Sequence, residues 1–126
     1  MPVTLQWLEE GHILEYRMVG RITTAEMRRA LEEEKQFYGA TENTVHVLLD
    51  VSEMEGPPGN PIAITRHSAL MTPQRGHLAY VGASATVRTI TDILSRFSGR
   101  RDHSFHETRE SAIERLRQAL AEEADG

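Results

Sequence analysis

From Val3 to Gly20 the chain alternates between apolar and polar residues in two runs, on either side of Glu9, Glu10 and Gly11. A two-residue period belongs to strands with one covered face, and Gly11 can take the positive φ of a tight turn, so the pattern predicts a β-hairpin. Val3, Leu5 and Trp7 share a face of the first run; in the second, Ile13, Glu15, Arg17 and Val19 oppose His12, Leu14, Tyr16 and Met18. The period then changes to that of a helix in TTAEMRRALEEEKQFYG. Thr23 is placed as its N-cap, Glu26 three residues on completes a capping box, and Gly39 is its stop. Met27, Leu31 and Phe37 or Tyr38, with Ala30 and Glu34 between them, form one apolar stripe. The run Glu32, Glu33 and Glu34 reads as a solvated face.

Val45 to Val51, VHVLLDV, is almost continuously apolar and rich in β-branched residues, which predicts a strand covered on both faces. In NPIAITRHSALM, Asn60 is an N-cap and Pro61 occupies the first helical position, where its missing N–H is not needed. GHLAYVGAS predicts a second buried strand ending at Gly82, with Ser84 capping the next helix, whose Val87, Ile90, Ile93, Leu94 and Phe97 keep helical spacing. DHSFHE alternates briefly, and Thr108 then caps a final helix with Ile113, Leu116 and Leu120 on its core face. The order is β-β-α-β-α-β-α-β-α. Alternation of this kind predicts an α/β fold: one domain over residues 1–126, with an N-terminal hairpin and a mixed, mostly parallel β-sheet carrying helices on its faces.

Composition trims the functional classes. Acidic residues outnumber basic ones by 19 to 14, for a formal charge of -5, which disfavours non-specific binding to nucleic acid or anionic lipid. There are no cysteines, so disulfides, thiolate metal sites and cysteine nucleophiles are excluded. The apolar runs are far shorter than a membrane span and the N-terminus lacks the pattern of a secretory signal, so a cytoplasmic location without a membrane span is expected.

VHVLLDVSEM before a helix, HLAYVGASATVRTI, and the final FHETRESAIERL with Phe105 and Ala112 resemble the STAS and SpoIIAA-like group of α/β domains. The resemblance covers essentially the whole chain. It implies a non-enzymatic regulatory or binding domain without a cofactor, contacting a protein partner or a small apolar ligand, with a homodimer as one form of assembly. Antagonist members of the group carry an Asp-Ser pair at the start of the helix after the central strand, and that serine is phosphorylated. Here the matching place is EGPPGNP, which has no hydroxyl; the nearest ones further on are Thr65 and Ser68, so Ser68 is the displaced candidate phosphosite.

In open α/β sheets, ligands bind beyond the carboxyl ends of the strands. That points to Ser52, Glu53 and Asn60 in one loop, and to Ser84 and Arg88 at the next. Free N–H groups after Asn60 and Ser84 could meet an anion, although Glu53 and Glu55 would repel one at the first. Asp50, Ser52 and His67 have the residue types of a hydrolase triad and are the alternative enzymatic reading, but no strained Gly-x-Ser-x-Gly elbow surrounds Ser52. His103 and His106 are three apart in a strand, hence on opposite faces, and are not expected to hold a metal together. His46, within a buried strand, reads as a hydrogen-bonded core residue. Arg88, Arg96, Arg100 and Arg101 form a basic helix end without the interleaved aromatics of a nucleic-acid platform. The hairpin edge strand with Trp7 either pairs with another chain or packs under the last helix.

Overall fold

The hairpin forms as its alternation requires: β1 (Val3–Glu9) and β2 (Ile13–Gly20) pair antiparallel, and Gly11 between them adopts φ 77°. The computed structural model describes residues 2–64, 72–98 and 102–125. After the hairpin come α1 (Thr24–Gly39), β3 (Val45–Met54), α2 (Pro61–Ile64), β4 (Arg75–Val81), α3 (Ala85–Ser98), β5 (His103–His106) and α4 (Arg109–Asp125). The strands form one sheet in sequence order, β1-β2-β3-β4-β5, with every pair after the hairpin parallel.

Because each parallel crossover steps one strand in the same direction, right-handed connections put their helices on a common face. On that face α1 buries Met27, Ala30, Leu31 and Tyr38 against Leu14, Tyr16, Met18, Val47 and Leu49. Helix α3 reaches it at its far edge, where Arg88 stacks over Phe105 and Asp92 meets His103. The last helix takes the opposite face: α4 buries Ala112 and Leu116 on Ile13, Leu48, Ala79 and Val81. A central strand covered on both sides explains why β3 is nearly all apolar. Each large aliphatic side chain so buried contributes roughly 1.5–3 kcal/mol.

The N-terminal cap of α1 works as the sequence indicates, whereas its C-terminal stop falls one residue beyond the expected Gly39. Thr23 Oγ1 accepts from the N–H of Glu26, whose carboxylate accepts from the N–H of Thr23 at 2.9 Å. Gly39 is the last residue of α1, and Ala40 closes it in a right-handed conformation.

Two readings change. Glu34 is not on a solvated face; it is fully buried in the stripe, where its carboxylate accepts from the hydroxyls of Tyr16 and Tyr38 and lies 3.1 Å from Arg75 Nε. Burial alone would lower the Arg75 pKa, but the facing Glu34 carboxylate outweighs it and holds the guanidinium above its ordinary range. Trp7 packs under α1 rather than the last helix, edge-on to Phe37 with ring centroids 5.2 Å apart.

Strand β4 also switches faces. The register with β3 shifts between Val45/Arg75 and Val47/Leu78, so Arg75 faces α1 while His77, Ala79 and Val81 face α4. Gly76 sits at the shift because a Cβ there would come within 2.5 Å of His46 Nδ1. That nitrogen accepts from the His77 N–H at 2.9 Å, and His46 Nε2 lies 2.8 Å from Glu123 Oε1 without the alignment of a hydrogen bond. His46 is therefore a core histidine, as its strand context suggests, hydrogen-bonded through Nδ1 and facing the Glu123 carboxylate with Nε2.

Candidate functional site

Four parallel strands run in one direction, so their carboxyl ends at Gly20, Met54, Val81 and His106 share one edge of the sheet. The helices begin there as well, capped by Thr23, Ser84 and Thr108, with Asn60 accepting from the Ile64 N–H at the start of α2. This is the edge where open α/β sheets place ligands.

Strand β3 continues past the predicted Val51 to Met54, which places Ser52 inside the strand rather than in the turn. Ser52 Oγ donates to Asp50 Oδ1 at 2.6 Å, and the Ser52 N–H reaches the same oxygen at 3.1 Å. The Asp50 side chain thus reaches along the strand to Ser52, which satisfies Ser52 without a histidine. Gly82, at φ 72°, lies against it so closely that a Cβ would approach the Ser52 Cβ within 2.6 Å. The structure therefore joins Ser52 to the Gly82–Ser84 turn. His67 and Ser68, like Thr65, Gly99, Arg100 and Arg101, lie outside the described residues.

Glu53 projects to solvent and pairs with Arg17 across β2 and β3 at 2.9 Å. Its hydrogen bond and charge raise the Arg17 pKa. The following loop is anchored on α1: the Asn60 N–H donates to Thr24 Oγ1 at 2.8 Å, and the Glu55 N–H to the Gly20 carbonyl at 2.9 Å. Gly59 makes this docking feasible, because at φ 76° it approaches Thr24 so closely that a Cβ would stand 2.6 Å from the Thr24 Cα.

At the next loop Ser84 caps α3, accepting from the Val87 N–H at 3.2 Å. Arg88 does not point into the turn as a free anion ligand. Its Nε donates to the Ala83 carbonyl at 3.3 Å and its guanidinium lies 5.1 Å from the Phe105 ring centroid, a cation–π placement. The site residues thus fall into two fastened loops, with Ser52 and Gly82 as their meeting point.

His103 and His106 take opposite faces, His103 Nε2 at 2.8 Å from Asp92 on α3 and His106 Nδ1 at 2.7 Å from Ser111 on α4. Among the described residues no three His, Asp or Glu side chains converge as a metal site would require. No helix among the described residues is long and apolar enough to cross a membrane.

Comparison with known proteins agrees with this architecture. No curated protein matches the chain. An uncharacterized protein with a SpoIIAA-like fold from Shewanella loihica PV-4 superposes with TM-score 0.66 at 14% identity, covering 90% of this chain and 91% of that one. The anti-sigma factor antagonist SpoIIAA in its unphosphorylated form gives TM-score 0.63 at 16% identity over 92% and 96% of the two chains. The Bacillus cell fate determinant SpoIIAA in its phosphorylated form gives 0.60 at 18% identity over 90% and 98%. At such identities the likeness speaks for the fold. The SpoIIAA-like family model, however, matches residues 13–117, from the second strand through most of α4, and on that match this chain belongs to the SpoIIAA-like family.

Proposed function

We propose that this domain is a non-enzymatic regulatory or binding module that contacts a protein partner through the strand-end edge and works without a phosphoserine switch at the start of α2. One observation carries the reading: from Glu53 to Ile64 the chain has no hydroxyl side chain, and its loop is held on Thr24 by Asn60 and Gly59. A fixed loop offers a constant shape to a partner. The SpoIIAA structures, solved in unphosphorylated and phosphorylated forms, supply the regulatory precedent within the same fold.

Intact-mass measurement after incubation with an anti-sigma-factor kinase that phosphorylates SpoIIAA tests the missing switch. No mass increase is expected. One phosphate on any residue would overturn it, and mapping would show whether Ser68 is the displaced acceptor.

A small apolar ligand is a second reading, favoured by α3, whose Ile93 is 44% exposed and whose Ile90 and Leu94 are only half-buried. The native mass of the purified protein separates the cases: a retained small molecule supports the ligand, and a doubled mass supports the homodimer. Ser52 is assigned a structural role because its proton is engaged by Asp50. Ser52→Ala is expected to leave any detectable turnover intact; loss of turnover would restore the hydrolase reading with Asp50 and His67.

A further inference from the structure

Strand β1 ends the sheet, and no strand pairs with its outer side among the described residues. Which of its backbone groups face outward follows from the register with β2. The Val19 N–H donates to the Pro2 carbonyl at 2.9 Å, so Pro2 and Val19 are a hydrogen-bonded pair, and such pairs alternate along an antiparallel ladder. Thr4 with Arg17 and Gln6 with Glu15 are therefore the next hydrogen-bonded pairs. The N–H and C=O groups of Val3, Leu5 and Trp7 point away from β2, along the open edge.

Open edges are ordinarily blunted by charge, by proline, by shortness or by a bulge. Residues 3–8 carry no charged side chain, and the Pro2 nitrogen lies on the β2 side, where it blocks nothing outside. At 7 residues β1 is also longer than the other edge strand, β5, which has 4. A bulge between Trp7 and Glu9 does end the regular pairing, which leaves residues 3–7 as the usable stretch. Val3, Leu5 and Trp7 lie under α1 in the main core, with Leu5 and Trp7 only half-buried, so apolar surface runs up to the edge.

This stretch is complementary to itself. When a second β1 runs antiparallel beside it about a two-fold axis at Leu5, Leu5 meets Leu5 of the second copy, and Val3 and Trp7 meet its Trp7 and Val3, every pair exchanging both N–H···O bonds. An axis perpendicular to the sheet keeps the faces, so the apolar side chains of the two cores adjoin on the α1 side. On the other side the exposed Thr4 stands opposite Gln6 of the second copy. No like charges are opposed, because the two copies of Glu9 lie at opposite ends of the joint. All the outward groups are used at once, and a second copy supplies their match with a length set by the same bulge.

We infer that the protein forms a two-fold dimer in which two β1 strands join the sheets of both copies into one, an interface separate from the strand-end edge assigned above to a protein partner. Each copy offers a single β1, so the pairing closes at two copies instead of growing into a fibre. The formal charge of -5 on each copy opposes their approach, and salt screens that repulsion. The dimer therefore strengthens as ionic strength rises.

Sedimentation equilibrium of the full chain, from micromolar to submillimolar concentration, tests the assembly, and amide hydrogen exchange tests the surface. The mass is expected to double with concentration, with the Leu5 and Trp7 amides protected only in the dimer and those of Thr4 and Gln6 protected in both states. Two double variants at exposed positions test the register. Thr4→Lys with Gln6→Lys opposes like charges across the joint and is expected to weaken the dimer by ~5-fold or more, whereas Thr4→Glu with Gln6→Lys sets opposite charges there and is expected to dimerise at least as well as the unaltered chain. A chain that stays monomeric throughout, assemblies larger than a dimer, Leu5 and Trp7 amides that exchange alike in both states, or equal dimerisation of the two variants would overturn the inference. None of these outcomes bears on the strand-end edge, whose loops take no part in the joint.

Discussion

The Glu34 carboxylate has no exposed surface and is held by the hydroxyls of Tyr16 and Tyr38 and by the Arg75 guanidinium. A buried ion pair contributes little over a well-packed apolar one, but removing one partner leaves an uncompensated charge. Glu34→Ala is therefore expected to destabilise the fold by about 3–5 kcal/mol, measured by urea unfolding. A loss within the range of an exposed Glu→Ala change would show that Arg75 finds other compensation. His77 gives a second residue-level expectation. Its folded pKa, lowered to about 4 by burial first and then by Arg115, lies below the ordinary histidine value, so below that ordinary value the unfolded chain binds more protons than the folded one. Its contribution is complete above pH ~6.5 and is lost as the pH falls from there towards 4. His77→Gln should flatten the stability profile across that window, and an unchanged slope would remove His77 as its cause.

Elements were the most legible part of the chain, and the reason is periodicity. The hairpin, the capping box of α1 and the fully apolar β3 each rest on neighbours a few residues apart, so the sequence carries both partners of the interaction. Thr23→Ala tests one of them directly: loss of the cap should lower stability by about 1 kcal/mol, and by less if water replaces it. What could not be read depends on partners from distant elements. The spacing of Met27, Leu31, Glu34 and Tyr38 already put Glu34 on the buried stripe, yet its acidic type argued for solvent, and nothing local announces Arg75 as its counter-charge. In the candidate site, the Asp50–Ser52 contact is local and follows from their spacing, whereas the approach of Gly82 to Ser52 and of Gly59 to Thr24 arises from sheet order. The two-residue spacing of Ser104 and His106 marks them as sharing a face, but His77 reaches Ser104 only because β4 changes face at Gly76. A register shift is invisible to a period count.

At the scale of the molecule the three tyrosines, Tyr16, Tyr38 and Tyr80, are the only ones in the chain, and all have pKa values raised, by burial first and by the Glu34 carboxylate as well. Above pH ~10 the unfolded chain would release phenolic protons that the folded protein retains, so stability declines as pH rises beyond that point. Ultraviolet titration should show the phenolate band appearing together with unfolding. A phenolate signal from the native protein near the ordinary tyrosine value would contradict the burial. The two faces of the sheet also differ in when they are covered. Helices between the strands shelter one face as the strands are made, but Ile13, Leu48, Ala79 and Val81 on the other await α4, which follows all five strands in the chain. During synthesis the nascent protein therefore carries a bare apolar sheet face until Arg109–Asp125 has been made and has docked, and in that interval it is a client for chaperones and a seed for aggregation.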